Sequence, residues 1–487
     1  MSTQKLRRLV VAAAAAALAM QAVAAWAGQA TNLQERVSRL LASPNLAGGI
    51  QGVVVRSLRT GNDLVSINAD LRFMPASNMK LVTSGAYLSL VGMQAPFTTR
   101  VVTASRLDDN GVLRGDLALV GGGDPLLDTA ALKGLAEAVK RAGVNAVSGR
   151  IIGDASVFEE QRYGDGWSWD DMPYYYSVPV AGLNANENVV RVTALPGRRA
   201  GDLVRVTRAL APPWQKVRVT ALTAAKGAAS SLNIGRELVH DVVRVDGALA
   251  LEAPEADRKP EPISVEEPPR YAAWLFRKCL AEAGVAVPGG WAAGAAPRNG
   301  RTLAEHTGAA AADLMKSLNK PSDNLVAECL LRRIGLVKGK AGSAVAGRTA
   351  VTEWLKSIGV IDRDVAMFDG SGLSRQNLVT PRAIVTLLRQ MHGAPCSAAF
   401  IDSLPIAGVD GSLRNRMKGT PAQANCRAKT GYVMHASSLS GYVTAADGEP
   451  LAFAILMNHH NARNAQAMAV QDEIVLELAR ATGLGRP

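Results

Sequence analysis

Ser77 and Lys80 stand three residues apart in the segment Ser77-Asn78-Met79-Lys80. On a helix, positions three apart share a face, so the Lys80 amine would lie within reach of the Ser77 hydroxyl. A serine hydroxyl needs a base before it attacks, and a lysine can be that base when burial or a second cation lowers its pKa. The spacing therefore predicts Ser77 as a nucleophile and Lys80 as its general base.

A second segment, Ser317 to Lys320, has the same spacing, so the SxxK pattern alone does not decide between them. Two further motifs follow downstream, Ser322-Asp323-Asn324 and then Lys429-Thr430-Gly431. Read with Ser77 first, the three fall in the order SxxK, SxN, KTG that serine acyl-transfer enzymes use. Ser317 lies too close to Ser322 for both to form separate walls of a cleft, which favours Ser77.

The middle motif offers two polar side chains with different capacities. The Ser322 hydroxyl can relay a proton between the lysines and a leaving amine, because a hydroxyl both donates and accepts. The Asn324 side chain can hold a substrate amide through its carbonyl oxygen and its NH₂ group. We therefore predict Ser322 as a catalytic residue and Asn324 as a substrate-binding residue.

The third motif has the features expected of a substrate-binding edge strand. The Lys429 charge could attract a terminal carboxylate and also hold down the pKa of Lys80. Thr430 offers a hydroxyl to the same carboxylate, and Gly431 removes a side chain where substrate must approach the backbone. We predict all three motif residues as substrate-binding.

Each motif alone also has an ordinary structural explanation. Ser77 with Lys80 could be a helix start with a solvated lysine, and Ser322 after Pro321 could be a helix cap. The near-match Arg59-Thr60-Gly61 is interpreted as a turn. Their occurrence together, in order, favours catalysis. The six histidines and the four cysteines lack metal-ligand spacing, so we expect neither a metal nor a cofactor.

The segments that must position these residues predict an antiparallel sheet covered by helices. Strand patterns occur near both ends of the chain, at Gly49–Leu58 and Asp63–Asn68, then at Ser437–Thr444 and Leu451–Met457, with a helix following at about 462–481. Strands and helices at both ends suggest one sheet with the middle of the chain inserted.

Between these two ends of the chain, the composition and the predicted secondary structure change. Residues 94–285 contain a β-rich stretch and a proline-rich run, and we predict an inserted accessory region of two small domains. The flanking 28–93 and 286–487 would form one discontinuous catalytic domain, with a helical subdomain from Leu303 onwards. The predicted class is α+β. At 487 residues the chain is too long for one ordinary domain, so two or three domains are expected.

The first 27 residues have the order of a secretory signal. Lys5, Arg7 and Arg8 precede an apolar run, and small residues close the segment at Ala27. An N-terminal membrane anchor is the alternative, but the run from Leu9 to Met20 is shorter than the roughly 20 residues that span a bilayer. We predict a signal peptide at 1–27 and an exported protein, in the periplasm or elsewhere in the cell envelope.

The predicted export and the distribution of charge limit the classes of molecule that the protein is expected to bind. The full sequence carries a formal charge of +12, with its basic residues scattered rather than gathered in tracts. This distribution argues against nucleic acid and favours peripheral contact with an anionic wall polymer or membrane surface, or a solubilising role for the charge. Four cysteines in an exported chain permit disulfides in three pairings, and buried thiols remain equally consistent.

With these residues in hand, the sequence resembles the penicillin-binding, active-site-serine D-Ala-D-Ala carboxypeptidases of low-molecular-mass class C, peptidase family S13. Beyond the three motifs, the likeness is carried by further segments spread over the mature chain: Gly122-Gly123-Asp124-Pro125-Leu126, Asp369-Gly370-Ser371-Gly372-Leu373-Ser374-Arg375 and Gly408-Val409-Asp410-Gly411-Ser412-Leu413. The long separation of Ser77 from Ser322 is similar to the large insertion of that group.

The resemblance implies a β-lactamase/transpeptidase-like catalytic domain with inserted accessory domains. It also implies an oxyanion hole made by the backbone amides of Ser77 and Tyr432. Many relatives have Thr or Ser where this chain has Tyr432, so a backbone amide is kept while a hydroxyl for the substrate carboxylate is displaced. Substrate preference is the property that this difference affects.

The function implied is hydrolysis of D-Ala-D-Ala bonds, or of D-alanyl cross-links, in peptidoglycan stem peptides through an acyl-enzyme on Ser77. β-Lactam antibiotics would acylate the same serine as covalent inhibitors. The alternatives are a β-lactamase or esterase on the same scaffold, or a wall-binding protein without turnover. The sequence leaves open the oligomeric state and the balance between carboxypeptidase and endopeptidase action.

Overall fold

The computed structural model describes residues 32–238 and 241–484, so the predicted signal peptide at 1–27 lies outside the described residues. The chain divides into two compact units. The first contains the chain up to Met93, the short segment Ala312–Asp323 and the chain from Ala350 onwards. The second contains Gln94–Ala311 and Asn324–Thr349.

The helices, numbered in chain order, are α1 (32–41), α2 (Met79–Leu90), α3 (Thr129–Arg141), α4 (Pro268–Glu282), α5 (Ala311–Asn319), α6 (Asn324–Gly339), α7 (Ala344–Ser357), α8 (Pro381–His392), α9 (Ser397–Ser403) and α10 (Asn464–Arg480). The strands are β1 (Ile50–Ser57), β2 (Asp63–Ile67), β3 (Thr98–Thr103), β4 (Val112–Leu113), β5 (Leu117–Val120), β6 (Ala146–Val147), β7 (Ile151–Asp154), β8 (Val189–Leu195), β9 (Arg205–Ala209), β10 (Lys216–Val219), β11 (Leu222–Ala224), β12 (Asn233–Glu237), β13 (Val242–Asp246), β14 (Ala248–Ala250), β15 (Glu261–Ser264), β16 (Trp291–Ala293), β17 (Arg301–Thr307), β18 (Val365–Ala366), β19 (Leu378–Val379), β20 (Arg427–Val433), β21 (Ala436–Thr444) and β22 (Pro450–Asn458).

The first unit is built on a five-stranded sheet in the order β2-β1-β22-β21-β20. All of its neighbouring strands are antiparallel, and Val54 of β1 lies opposite Ala454 of β22. β20 is an edge strand, with β21 as its neighbour. The two ends of the chain thus share one sheet, and the predicted α+β class with its helix-covered antiparallel sheet is confirmed.

Helices cover this sheet on both faces, which explains why the central strands are buried along nearly their whole length. On one face, apolar residues of α1 and α10, including Leu33, Val37 and Ile474, pack with sheet residues in a single core. On the other, α8 contacts β1 and β22, and α2 contacts α8. α8 begins as the sequence predicts, with the Thr380 hydroxyl accepting from the Ala383 amide and Pro381 in the first turn.

The second unit centres on a five-stranded mixed sheet in the order β16-β7-β5-β3-β17. β16, β7 and β5 run parallel to one another, while β3 pairs antiparallel with both β5 and β17. α3 and α4 pack against each other, and α4 covers β7 and β16. Smaller sheets of two or three strands are formed by β8 to β15.

The second compact unit differs in extent from the inserted region predicted at 94–285. It continues to Ala311, because β16 and β17 pair with strands of the inserted sheet, and it also contains Asn324–Thr349. The two small domains predicted within the insertion share one apolar core, in which Val101 of β3 clusters with Val192 of β8 and Val243 of β13. Continuous apolar packing therefore joins these segments into one unit.

The described residues contain no helix long and apolar enough to cross a membrane. All four cysteines lie within the described ranges, and there each is a free thiol. Cys279, Cys329 and Cys426 are buried, and Cys396 is half-buried. Burial raises the pKa of the Cys426 thiol to about 12, so this side chain behaves as a small apolar group.

Candidate active site

Ser77 lies in a short 3₁₀ turn, Ala76–Asn78, that leads directly into α2. One helical turn later, the Lys80 Nζ atom donates to Ser77 Oγ over 3.1 Å, and the Lys80 side chain is fully buried. The structure thus brings the predicted nucleophile and base into hydrogen-bond contact. A serine at this distance can pass its proton to a neutral lysine amine.

A loop from the first unit fixes the Lys80 amine from the other side. Lys80 Nζ donates to the Ser371 carbonyl oxygen over 2.7 Å. Asp369 organises this loop by accepting from the Gly372 amide at 2.8 Å and the Ser374 amide at 2.7 Å. Gly372 has φ +83, and a Cβ there would collide with the Ala76 carbonyl oxygen. The loop at 369–374 therefore positions the predicted base Lys80, a role that the sequence alone does not assign to it.

Lys429 connects the edge strand β20 to the second serine. Its Nζ atom donates to Ser322 Oγ and to the Thr430 carbonyl oxygen, each over 2.9 Å. The Lys429 backbone is held in turn, since Asn78 Nδ2 donates to the Lys429 carbonyl oxygen over 3.0 Å. Residues from all three motifs therefore meet within the first unit.

The two motif lysines influence each other. Lys429 is fully buried, and burial, followed by the nearby Lys80 charge, holds the pKa of Lys429 well below its ordinary value. Two amines in one buried site titrate as a coupled pair, because charging one disfavours charging the other. Such a site favours an uncharged amine more than water does, as a lysine base requires.

Ser322 sits in a left-handed backbone conformation with φ +69. Lys320 lies two residues before Ser322. Its Nζ atom forms an ion pair with Asp410 over 2.6 Å and donates to the Leu404 carbonyl oxygen over 2.8 Å. The Ser412 amide also donates to the Lys320 carbonyl oxygen, over 3.1 Å. The lysine of the second SxxK segment therefore anchors the Ser322 turn through an ion pair.

An open cavity of about 290 Å³ lies at the meeting point of these elements. Its lining includes four residues that carry a hydroxyl group, Ser77, Ser322, Ser412 and Thr430. Ser412 Oγ and Thr430 Oγ1 are 2.7 Å apart and hydrogen-bonded to each other. Ser412 is absent from the predicted site residues, and the only signal for it in the sequence is the family likeness of the segment that contains it, 408–413.

Gly431 is placed where the edge strand comes closest to Ser77. A Cβ on residue 431 would collide with Ser438 Oγ and would lie 2.8 Å from the Pro75 carbonyl oxygen and 3.0 Å from the Ser77 amide nitrogen. The Pro75 oxygen and the Ser77 nitrogen are backbone atoms, so they cannot rotate away from an added methyl group. The absence of a side chain therefore sets the distance between β20 and the nucleophile.

We expect Gly431→Ala to lower the rate of acylation by penicillin about tenfold or more, because the added methyl must push β20 away from Ser77. The rate is measured as the mass increase of the intact protein, alongside the unfolding temperature. Gly235→Ala is the matched control, since a Cβ at this strand glycine meets nothing within 4 Å. Equal acylation rates in the two variants would contradict the packing argument.

Two predicted site residues are placed differently from the rest. Asn324 begins α6 in the second unit, where its Nδ2 donates to the Tyr176 carbonyl oxygen over 2.6 Å. Tyr432 lines the cavity and is 54% exposed. The binding role of Asn324 and the oxyanion hole at the Ser77 and Tyr432 amides remain predictions.

Two other features of the described residues bear on the chemistry of the site: possible metal ligands and the near-match to the third motif at Arg59. There, no group of three or more His, Cys, Asp or Glu side chains could hold a metal ion. The near-match at Arg59 lies in a turn, where its Nη2 donates to the Gly448 carbonyl oxygen over 2.7 Å. The contacts of Lys80 with Ser77 and of Lys429 with Ser322 support the chemistry of a serine activated by buried amines.

Comparison with known proteins agrees with this geometry. Residues 33–480 match the model of the D-Ala-D-Ala carboxypeptidase 3 (S13) family. The chain is similar to a D-alanyl-D-alanine carboxypeptidase from Actinomadura sp. (strain R39), with 36% identity over 473 residues that cover 94% of this chain and 86% of the relative.

Among solved structures, the chain is similar to penicillin binding protein 4 (dacB) from Haemophilus influenzae, with a TM-score of 0.81, 28% identity, and coverage of 91% of this chain and 99% of that chain. A structure of the same protein complexed with a novel β-lactam gives a TM-score of 0.76 at 26% identity, again covering 91% and 99% of the two chains.

Proposed function

The chain belongs to the D-Ala-D-Ala carboxypeptidase 3 (S13) family of serine hydrolases, and we propose that Ser77 cleaves D-alanyl peptide bonds in peptidoglycan stem peptides. The observation that carries this proposal is the contact between Lys80 Nζ and Ser77 Oγ at 3.1 Å, beside the contact between Lys429 Nζ and Ser322 Oγ at 2.9 Å. Release of a terminal D-alanine is the carboxypeptidase reaction, and opening of a D-alanyl cross-link is the endopeptidase reaction.

In the acylation step, Ser77 Oγ attacks the carbonyl carbon of the scissile bond while its proton passes to an uncharged Lys80 Nζ. The negative charge that develops on the carbonyl oxygen is stabilised by the backbone amides of Ser77 and Tyr432. The C–N bond then breaks, and Ser322 passes its proton to the departing amine while it regains the proton that Lys80 took from Ser77, so Lys80 is uncharged again for the next step. Lys429 supports this transfer, since its amine holds Ser322 Oγ.

In the deacylation step, a water molecule attacks the ester formed on Ser77. One of the buried amines accepts the water proton, and Ser77 Oγ leaves with a proton from the same network. The stem peptide is released shortened by one residue or freed from its cross-link. No oxidant, metal or cofactor is required for either step.

Substrate binding is assigned to residues around this centre. Thr430 offers its hydroxyl to the carboxylate that follows the scissile bond, and Gly431 lets the peptide approach the strand backbone. Asn324, two residues beyond Ser322 in the chain, is proposed to hold a substrate amide. Lys429 is proposed to contribute positive charge when a carboxylate enters.

β-Lactams are proposed to act on the same serine. A β-lactam presents a strained amide and a carboxylate, as the D-Ala-D-Ala end presents an ordinary amide and a carboxylate. The proposed location is outside the cytoplasm, in the periplasm or cell envelope, where stem peptides occur. The basic charge of the chain is consistent with peripheral contact with wall polymer or membrane.

The proposal predicts that the protein, incubated with purified muropeptides, shortens pentapeptides by one D-alanine and converts cross-linked dimers to monomers. Mass spectrometry of the products measures both reactions. Preincubation with penicillin is the control and should stop both. Rapid hydrolysis of penicillin with intact muropeptides would point instead to a β-lactamase, and no reaction with either would contradict the proposed activity.

A further inference from the structure

One stretch of the second unit carries most of the basic excess of the chain. Residues 188–236 contain nine basic residues and a single acidic residue, Asp202, in a sequence whose formal charge is +12. The basic residues are spaced along the stretch, so they form no tract. Their concentration becomes visible when the acidic residues are counted as well, and it indicates a surface that attracts anions.

Two leucine side chains lie exposed within this stretch. Leu203, two residues before β9, is 56% exposed, and Leu222, the first residue of β11, is 47% exposed. The two residues form an antiparallel bridge, and residues paired in this way point their side chains to the same face. They therefore form one apolar projection on the surface of the second unit, the Leu203–Leu222 pair.

Arginines lie next to this pair in the chain. Arg205 follows Leu203 on the same face of an extended segment, since both residues are exposed and Val204 between them is buried. Arg198 and Arg199 lie in the preceding turn, both exposed, and the Arg199 side chain is 86% exposed. We call these three residues the flanking arginines.

Asp202 leaves most of this charge uncompensated, because its carboxylate organises the turn. One oxygen accepts from the amides of Arg198 and Arg199, each over 3.1 Å, and the other accepts from Arg199 Nε over 3.3 Å. Arg205 Nε donates to the Pro196 carbonyl oxygen over 3.2 Å. Among the described residues, no carboxylate forms an ion pair with Arg198 or Arg205, so two guanidinium charges stay available beside the leucines.

Other cations of the stretch are less available to a ligand. Three of them pair with acidic residues that lie outside the stretch in sequence: Arg191 with Glu187, Arg218 with Glu237 and Lys226 with Glu252. The unpaired charge closest in the chain to the exposed leucines is therefore that of the flanking arginines.

We propose that the Leu203–Leu222 pair and the flanking arginines form a docking surface for an anionic phospholipid membrane. Exposed leucines can bury their side chains at the boundary between headgroups and acyl chains, while arginines donate hydrogen bonds to phosphate oxygens. The inference goes beyond the proposed function and takes from it only the location in the cell envelope. The enzyme would then act on stem peptides while it is held at a membrane surface.

The leucines distinguish a membrane from a soluble anionic polymer. A polymer of the wall would be attracted by the arginines alone, and the exposed leucines would gain nothing from it. A membrane uses both kinds of side chain, because basic residues are attracted to anionic headgroups and apolar residues leave water. An apolar projection flanked by unpaired arginines therefore matches a lipid surface better.

The test is cosedimentation of the purified protein with vesicles of phosphatidylglycerol and phosphatidylcholine in equal parts, compared with vesicles of phosphatidylcholine alone. We expect binding to the anionic vesicles and much weaker binding to the neutral ones. Leu203→Ser/Leu222→Ser should weaken binding to anionic vesicles about tenfold or more, because the buried apolar area is lost. Arg198→Gln/Arg205→Gln should weaken it about tenfold or more as well, because two attractive charges are lost.

Matched controls separate this surface from general exposure and charge. Ile361→Ser removes an apolar side chain that is 50% exposed in the first unit. Arg114→Gln/Arg141→Gln removes the same charge as the arginine variant from exposed positions elsewhere in the second unit. Both should bind vesicles as the wild type does. The unfolding temperature and the rate of acylation by penicillin, measured for every variant, should stay at the wild-type values.

The outcomes distinguish this inference from the proposed function. Wild-type protein that ignores anionic vesicles, leucine variants that bind them normally, or controls that lose as much binding would overturn the docking surface, even if the protein cleaves stem peptides. Equally tight binding to polyglutamate, an anionic polymer without acyl chains, would overturn the assignment to lipid. A wild type that binds anionic vesicles, yet cleaves no stem peptide and is not labelled by penicillin, would overturn the proposed function and leave the docking surface supported.

Discussion

Replacing Ser77 with alanine is expected to abolish labelling by penicillin and to lower peptide hydrolysis at least about a thousandfold, since Ser77 is the proposed nucleophile of the acyl-enzyme. The substitution removes one hydroxyl and leaves Lys80 Nζ bonded to the Ser371 carbonyl oxygen, so the fold should persist. Intact-protein mass after incubation with penicillin measures the labelling, and circular dichroism checks the fold.

Ser317→Ala is the matched control for this variant, because Ser317 is the serine of the second SxxK segment. It should be labelled at the wild-type rate. Peptide mapping of wild-type protein should place the penicillin adduct on the peptide that contains Ser77. An adduct on Ser317, or persistent labelling of Ser77→Ala, would refute the assignment of the nucleophile.

Replacing Lys80 with arginine is expected to slow acylation about 10²–10⁴-fold, the contribution usual for a positioned general base. The variant keeps the charge but cannot accept the Ser77 proton, because a guanidinium does not deprotonate in proteins. The larger planar group must also fit where one amine lies 3.1 Å from Ser77 Oγ and 2.7 Å from the Ser371 carbonyl oxygen. Stopped-flow or mass-resolved acylation by penicillin measures the rate.

Lys80→Met serves as the companion variant, since it removes the charge and the amine while roughly keeping the length of the side chain. Both variants should be slow if Lys80 is the base. Lys418→Arg, at an exposed position of the same unit, controls for the substitution itself. A near-normal rate in Lys80→Arg would show that another group takes the proton from Ser77.

The sequence by itself determined the parts that depend on local spacing and on apolar pattern. Ser77 and Lys80 meet because positions three apart on a helix share a face. The strands at the two ends of the chain form one sheet because alternating and apolar runs at both ends have to bury against each other. The α8 start at Thr380-Pro381 follows from the cap and proline preferences of a first helical turn.

Only the tertiary structure decided which distant side chains face one another. Lys320 resembles Lys80 in its SxxK spacing, yet the fold pairs it with Asp410 across a long stretch of chain. Ser412 and Arg416 carry no catalytic spacing, and they reach the cavity because the turn that contains them packs against β20 and α10. Such contacts depend on the packing of elements remote in sequence, which spacing within one element does not encode.

The extent of the compact units shows the same division between local and distant information. The sequence predicts that the proline-rich run after β14 closes the β-rich stretch and leads into a helix, and that the inserted region ends at residue 285. In the structure β16 and β17 follow that run and still complete the inserted sheet, through pairing with β7 and β3. The strands that pair with each other are far apart in the chain, so local sequence does not show which partner a strand will have. Local composition marks where an element can end, and the energy of burying the whole sheet decides to which unit it belongs.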